Sequence, residues 1–141
     1  QGFINTEYLA ASLLDMDWHT MSELDAQNIS DNFEKSSMNK IGLIDQIAPR
    51  YRSTYFAHIF SGGYSSGYYS YVHAAVLDSD AFEAFKETGD VFDAELSSKL
   101  RKEIYEKGST EEAMDLYVNF RGRKPIIAPL LKVRGLDGSS D

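Results

Sequence analysis

Cysteine is absent from the 141 residues. That excludes a disulfide framework, a Cys-ligated metal and a thiol nucleophile, and it leaves the compartment open. Basic residues are scarce: 14 Lys and Arg stand against 22 Asp and Glu, a net charge of −8. Phosphate binding needs a basic surface, so a general nucleic-acid role is excluded as well. No apolar run approaches the length of a membrane span. Only three histidines occur, His19, His58 and His73, and they have no HExxH spacing. No carboxylate pair beside them makes a local metal site. No Ser sits in a G-x-S-x-G elbow. The Gly/Ser-rich run Ser61 to Gly67 lacks the lysine of a phosphate-binding loop and follows no strand pattern. Alternating apolar and polar runs of strand length, repeats and low-complexity segments are also missing. The chain opens on Gln1-Gly2-Phe3 and not on Met, so it is expected to start within a longer protein.

What is present suits one folded domain. Hydrophobic residues make up 43% and aromatics 13%, enough apolar material to bury a core. The pattern is helical almost throughout. Asn5 or Thr6 can cap a first helix, and Tyr8, Leu9, Leu13 and Met16 recur close to a 3.6-residue period up to Trp18-His19. A second helix is expected from Ile29 to Lys40, stopped by Gly42. Pro49 biases Ala48 away from helix and marks a connector. Short helix is expected over Ser53 to Phe60, then a long helix from Ser66 to Glu87, ended by Gly89-Asp90. Asp93 caps the next, which runs to Lys107. Ser109 or Thr110 with Glu111-Glu112 reads as a capping box for another. A short amphipathic turn through Leu130-Leu131 closes the pattern, and residues 137–141 read as a frayed tail. In the long helix, Val72, Ala74, Ala75, Val76 and Leu77 leave almost no polar face, the signature of a helix buried all round. His73 in that stretch reads as a satisfied core histidine. Such burial is natural in one lobe of something larger.

Six of the nine tyrosines lie between Tyr51 and Tyr71. Tyr64, Tyr68 and Tyr71 are spaced four and three apart, which puts their rings on one face if helix extends back to Tyr64. His58 precedes the Gly62-Gly63 hinge. A phenol is a neutral donor with a high pKa and can hydrogen-bond a developing oxyanion without ionising. Aromatics at helical spacing are more often core, yet each buried phenol needs a partner, which makes Tyr an expensive core choice. From Val118 to Leu136 there is no acid, while Arg121, Arg123, Lys124, Lys132 and Arg134 are present. Such a segment is usually a solvated face.

These residues carry a resemblance. The chain is similar to the C-terminal end of the thimet oligopeptidase and peptidyl-dipeptidase family of zinc metallopeptidases, its bacterial peptidyl-dipeptidase members above all. The resemblance runs through Thr6-Glu7-Tyr8-Leu9-Ala10-Ala11, Trp18-His19, Pro49-Arg50-Tyr51-Arg52-Ser53 and Tyr55-Phe56-Ala57-His58. It is most specific over Gly62-Gly63-Tyr64-Ser65-Ser66-Gly67-Tyr68-Tyr69-Ser70-Tyr71, and it ends in Phe120-Arg121-Gly122-Arg123-Lys124-Pro125 and Arg134-Gly135-Leu136. Members of the family have Trp where His73 stands and Glu where Ala75 stands.

The resemblance implies an all-α fold, the helical C-terminal portion of a two-lobed peptidase around a channel, with residues 1–136 belonging to the catalytic region. It implies zinc in the intact enzyme and none in this chain, since the HExxH segment lies N-terminal to the matching region. It implies that His58 and Tyr71 hydrogen-bond the scissile carbonyl and its oxyanion. By the same match, Tyr64 and Tyr68 contact the peptide, and Gly62 and Gly63 begin a mobile substrate loop. The expected activity is hydrolysis of short peptides with release of C-terminal dipeptides, this chain alone being inactive. The expected partners are a short peptide and the N-terminal part of the same polypeptide, with neither nucleic acid nor membrane, in a cytoplasmic setting, with a periplasmic one as the alternative. The competing expectation is a free-standing helical interaction module without catalysis.

Overall fold

A computed structural model describes residues 1–22 and 31–138. Among them every regular element is helical, as the all-α expectation requires. The α-helices are α1 (Gly2–His19), α2 (Asp31–Lys40), α3 (Ala57–Phe60), α4 (Ser70–Thr88), α5 (Ala94–Leu100), α6 (Ala113–Arg121) and α7 (Ala128–Val133). The first two residues of the expected second helix, and positions 139–141 of the expected frayed tail, lie outside the described residues. The chain divides into two compact units, Gln1–Val72 and His73–Asp141.

In the first unit α1 starts earlier than its polar residues suggest. Gln1 is the N-cap and makes no side-chain capping bond. Asn5 Nδ2 donates to the Gln1 carbonyl, and Thr6 Oγ1 donates to that of Gly2. Both side chains therefore bond back one turn, a use open to short polar side chains inside a helix as well as at its start. One face of α1 buries Ala10, Ala11, Leu14 and Asp15. The opposite face leaves Leu9, Leu13 and Met16 exposed, and Phe3 and Ile4, two turns before Ala10 and Ala11, are exposed as well. Helix α2 ends in a Schellman turn: Gly42 takes φ +71°, its N–H donates to Asn39 O, and the Leu43 N–H reaches Met38 O. The expected helix over 53–60 forms in two pieces, a 3-10 turn at Ser53–Tyr55 and then α3, broken at Phe56. Two clusters make the core. Ala11, Phe56, Ile59 and Tyr68 pack with Tyr8, Trp18, Tyr51 and Tyr71. Ala10, Leu14 and Met38 pack with Trp18, Phe33 and Leu43. Phe56, 1% exposed, contributes about 1.5–3 kcal/mol by leaving water.

The second unit takes the rest of α4, whose last residue is followed by Gly89 at φ +82°. Asp93 caps α5 as expected, with Oδ1 accepting the Leu96 N–H at 2.6 Å. Helix α5 passes into one π turn at Arg101–Tyr105. The anticipated capping box does not form: α6 begins at Ala113 with Glu112 as its N-cap and no side-chain cap bond. Pro129 sits in the first turn of α7, where its missing N–H has no helical partner to lose. Ala84, Phe85 and Phe120 form the core with Ala81, Leu96, Leu100 and Ile104. Within the stretch expected to be buried all round, His73 and Ala74 are exposed and Val76 and Leu77 only half-buried. His73 is thus not a core histidine in this chain.

One charge is fully buried in this unit. Asp80 is 0% exposed and accepts from Tyr117 Oη at 2.6 Å and from both terminal nitrogens of Arg123 at 2.7 and 3.0 Å. Burial alone would raise its pKa; the Arg123 and Tyr117 hydrogen bonds, with the Arg123 and Arg121 charges, outweigh it and hold the carboxyl below the ordinary range. No described helix is long and apolar enough to cross a membrane.

Candidate functional site

The aromatic residues singled out in the sequence come together in the first unit. Three stretches supply them. Helix α1 brings Glu7, Tyr8 and Asp15. The connector through Pro49 brings Arg50 and Tyr51, tied to α1 by the Arg50 N–H donating to Glu7 O at 2.9 Å. The Arg50 guanidinium lies 3.2 Å from Glu7 Oε1 and 5.3 Å from the Tyr8 ring centroid, a cation over an aromatic face. Helix α3 and the turns after it bring His58, Tyr64 and Tyr68, and the first turn of α4 brings Tyr71.

The ring geometry is close. Tyr64 and Tyr71 stack with centroids 5.1 Å apart at 24°. His58 lies 6.1 Å from Tyr64 and 6.4 Å from Tyr71. Tyr51 supports the imidazole from 4.7 Å and itself stacks on buried Phe56. Tyr64 is exposed, and His58 and Tyr71 are half-buried, so all three reach the surface. Tyr68 does not share that surface. It is 1% exposed and packs edge-on against Phe56. The expectation of three phenols in one accessible column is therefore corrected to two above and one below.

The physical reason is where α4 starts. Helix was expected from Ser66, but residues 65–69 run as consecutive turns and α4 begins at Ser70. Main-chain bonds step back three residues: Gly67 N–H to Tyr64 O, Ser70 N–H to Gly67 O, Tyr71 N–H to Tyr68 O. Ser66 sits in the left-handed region at φ 54°, which interrupts a right-handed helix. The Ser66 N–H donates to Asp15 Oδ1 at 3.0 Å and the Tyr68 N–H to Asp15 Oδ2 at 2.9 Å. One buried carboxylate thus holds both amides in a conformation that no helix offers.

The two adjacent glycines differ sharply. A Cβ on Gly62 would stand 2.7 Å from the main-chain oxygen of His58, closer than real Cβ atoms come. Glycine is required there for the chain to fold back beside the imidazole. A Cβ on Gly63 would meet nothing within 4 Å, and its φ is not left-handed. Nothing among the described residues demands glycine at position 63.

Electrostatics favour neutral donors. The Tyr71 pKa is pushed up to about 12, first by hydrogen bonding with the Tyr64 hydroxyl and then by burial. Burial raises that of Tyr68 further, helped by Tyr8. Both phenols keep their protons at neutral pH, the state in which a hydroxyl can donate to an oxygen that gains charge. The described residues do not fit a metal: no three His, Asp or Glu side chains converge among them. His19 lies beside Asp15, with Nδ1 at 2.8 Å from Oδ1. Asp15 was missed in the sequence. Its one local signal is a carboxylate on the buried face, one turn past Ala11.

Comparison with known proteins decides the family. The model of peptidase family M3 matches residues 1–136. The chain belongs to peptidase family M3. Among its M3 relatives, the dipeptidyl carboxypeptidase of Escherichia coli (strain K12) is 40% identical over 138 residues, which is 97% of this chain and 20% of that protein. Oligopeptidase A of Escherichia coli (strain K12) is 46% identical over 83 residues, 59% of this chain and 12% of that protein. The thimet-like oligopeptidase of Dictyostelium discoideum is 36% identical over 81 residues, 57% of this chain and 12% of that protein. The M3 chain described here spans about a fifth of the length of the first of these relatives.

Proposed function

We propose that this chain is the substrate-binding and oxyanion-stabilising wall of an M3 peptidase that hydrolyses short peptides. The observation that carries the reading is the cluster of His58, Tyr64 and Tyr71, surface-reaching, with rings 5.1 to 6.4 Å apart. In this reading the protonated Tyr71 phenol and the His58 imidazole donate to the scissile carbonyl oxygen as it gains charge. Tyr64 stacks on Tyr71 and lines the peptide path. Tyr68 supports the pair from beneath. Gly63, free of any steric demand within the chain, gives the peptide backbone room to pass.

The zinc that M3 peptidases use, and the residues that hold it, belong to the remainder of the polypeptide. That remainder is also the natural cover for the exposed apolar side chains of α1, Phe3, Ile4, Leu9, Leu13 and Met16. Release of C-terminal dipeptides is the favoured mode, because the match to a dipeptidyl carboxypeptidase runs over 97% of the chain at 40% identity, and the matches to oligopeptidase A run over 59% at 46% identity and over 84% at 36% identity. A cytoplasmic setting is the accompanying proposal.

Tyr71→Phe in the intact enzyme tests the reading. One hydroxyl is removed, so kcat falls about 10²–10³-fold while bound zinc and the melting temperature stay unchanged. Wild-type turnover would make Tyr71 a packing residue. Mass spectrometry of the products then distinguishes dipeptide release from internal cleavage.

A further inference from the structure

Asp15 is the one fully buried charge among the described residues of the first unit, and the proposed chemistry leaves it unused. It is 0% exposed, on the core face of α1. A buried carboxylate is costly unless its oxygens are satisfied. Here both are, and both by main-chain amides from far along the sequence: Ser66 N–H on Oδ1 and Tyr68 N–H on Oδ2. Neither amide takes a main-chain acceptor among the described residues. His19, one helical turn away, sits on the other side, with Nδ1 at 2.9 Å from the Asp15 main-chain oxygen and 2.8 Å from Oδ1. Charge-assisted bonds of this kind are about twice as strong as neutral ones. Their effect is conformational. They hold Ser66 at its left-handed φ and delay the start of α4 to Ser70. They thereby fix the rotation at which Tyr71 leaves the turn and stacks on Tyr64.

We infer that Asp15 is a positioning residue for peptide hydrolysis, acting through Tyr71, with His19 orienting its carboxylate. The inference rests on the proposed role of Tyr71. Asp15 touches neither peptide nor reacting atoms. It sets the turn that presents them. Asp15→Asn keeps one acceptor and turns an NH2 toward the other amide, so one of the two bonds is lost with little change in volume.

The test uses the full-length enzyme. Asp15→Asn is expected to lower kcat by up to about 10²-fold, the size of effect that a misplacement near 1 Å produces, with zinc content unchanged. Two readouts separate positioning from mere stability. In a double-mutant cycle, Tyr71→Phe should lose most of its own effect in the Asp15→Asn background, because a displaced phenol has little left to remove. Amide exchange should quicken at Ser66 and Tyr68. Leu14→Ala, a core truncation on the same helix, should lower the melting temperature and leave kcat of the folded enzyme unchanged. Losses that multiply independently, unchanged exchange at those amides, or an equal kcat loss in Leu14→Ala would each overturn the inference. If Tyr71→Phe is itself silent while Asp15→Asn slows turnover, the reading of Tyr71 fails and the inference falls with it. Full coupling beside a strong Tyr71→Phe effect sustains both. Should Asp15→Asn not fold, His19→Ala carries the same cycle and the same exchange measurement.

Discussion

Among the described residues each unit buries one carboxylate completely, and the two are satisfied in different ways. Asp80 in the second unit is answered by side chains, Tyr117 on α6 and Arg123 just beyond it. Asp15 in the first unit is answered by main-chain amides of a turn. A charge bonded to side chains ties elements together and can be replaced, in principle, by apolar packing. A charge bonded to amides dictates backbone conformation, for which no hydrocarbon substitutes. The first arrangement belongs to stability. The second belongs to the presentation of Tyr64 and Tyr71.

The sharpest way to break this contrast is Asp80→Ala. It strips Arg123 and the buried Tyr117 hydroxyl of their carboxylate, and leaves Arg121, only 9% exposed, with Glu87 as its ion-pair partner. The expected loss is about 3–5 kcal/mol of folding free energy, read by urea denaturation, with kcat of the folded fraction retained. Next in size is Tyr71→Phe, whose 10²–10³-fold fall in kcat corresponds to about 2.7–4 kcal/mol on the transition state and should leave denaturation curves superimposed. A stability effect equal to that of Asp80→Ala would erase the distinction between the units.

Acid gives a smaller, graded version. The folded-state pKa of Asp80 is depressed below its unfolded value. Its contribution is therefore present in full above the unfolded carboxylate pKa, about 3.9, and is lost as pH falls through the folded value. Denaturation series at pH 7 and pH 3 should show that Asp80→Asn removes much of the acid sensitivity. Persistence of the full sensitivity would mean other carboxylates carry it.

The finest comparison lies between neighbours. Gly62→Ala should destabilise by about 1–3 kcal/mol, since a methyl group is forced against main-chain oxygen. Gly63→Ala should leave stability unchanged or raise it by about 0.4–1 kcal/mol through the unfolded chain, while weakening peptide turnover. Thermal melts and KM together score both substitutions.

Much of this fold is legible in local sequence. The end of α1 near His19, the Gly42 stop and the Asp93 cap each work within one or two turns of chain, and each appears as read. The all-α class follows from them. The buried face of α1 departs from the reading: Ala10, Ala11 and Leu14 are buried, while Leu9, Leu13 and Met16 of the expected stripe are exposed. The start of α4 does not appear as read, because its cause is Asp15, some fifty residues upstream. A pattern of Tyr at positions 64, 68 and 71 fits a continuous helix until an acceptor elsewhere claims the amides of Ser66 and Tyr68. The same non-local cause splits the tyrosine face, sending Tyr68 into the core. The capping box at Ser109 or Thr110 fails for a different reason: its residues suit a helix start, yet α6 begins at Ala113 without any side-chain cap. The cluster of His58 with Tyr64 and Tyr71 was visible from composition and spacing. Its anchor was not, since a single acid on a buried helix face carries no record of its partners.

The unequal glycines at positions 62 and 63 also bear on descent. Drift in a lineage that kept the scaffold but abandoned peptides would be checked at the first glycine by the His58 main chain and unchecked at the second. A descendant with alanine or serine at 63 and glycine still at 62 would record a retired substrate path in an intact fold. One with both glycines retained would show selection still acting on what passes over the turn.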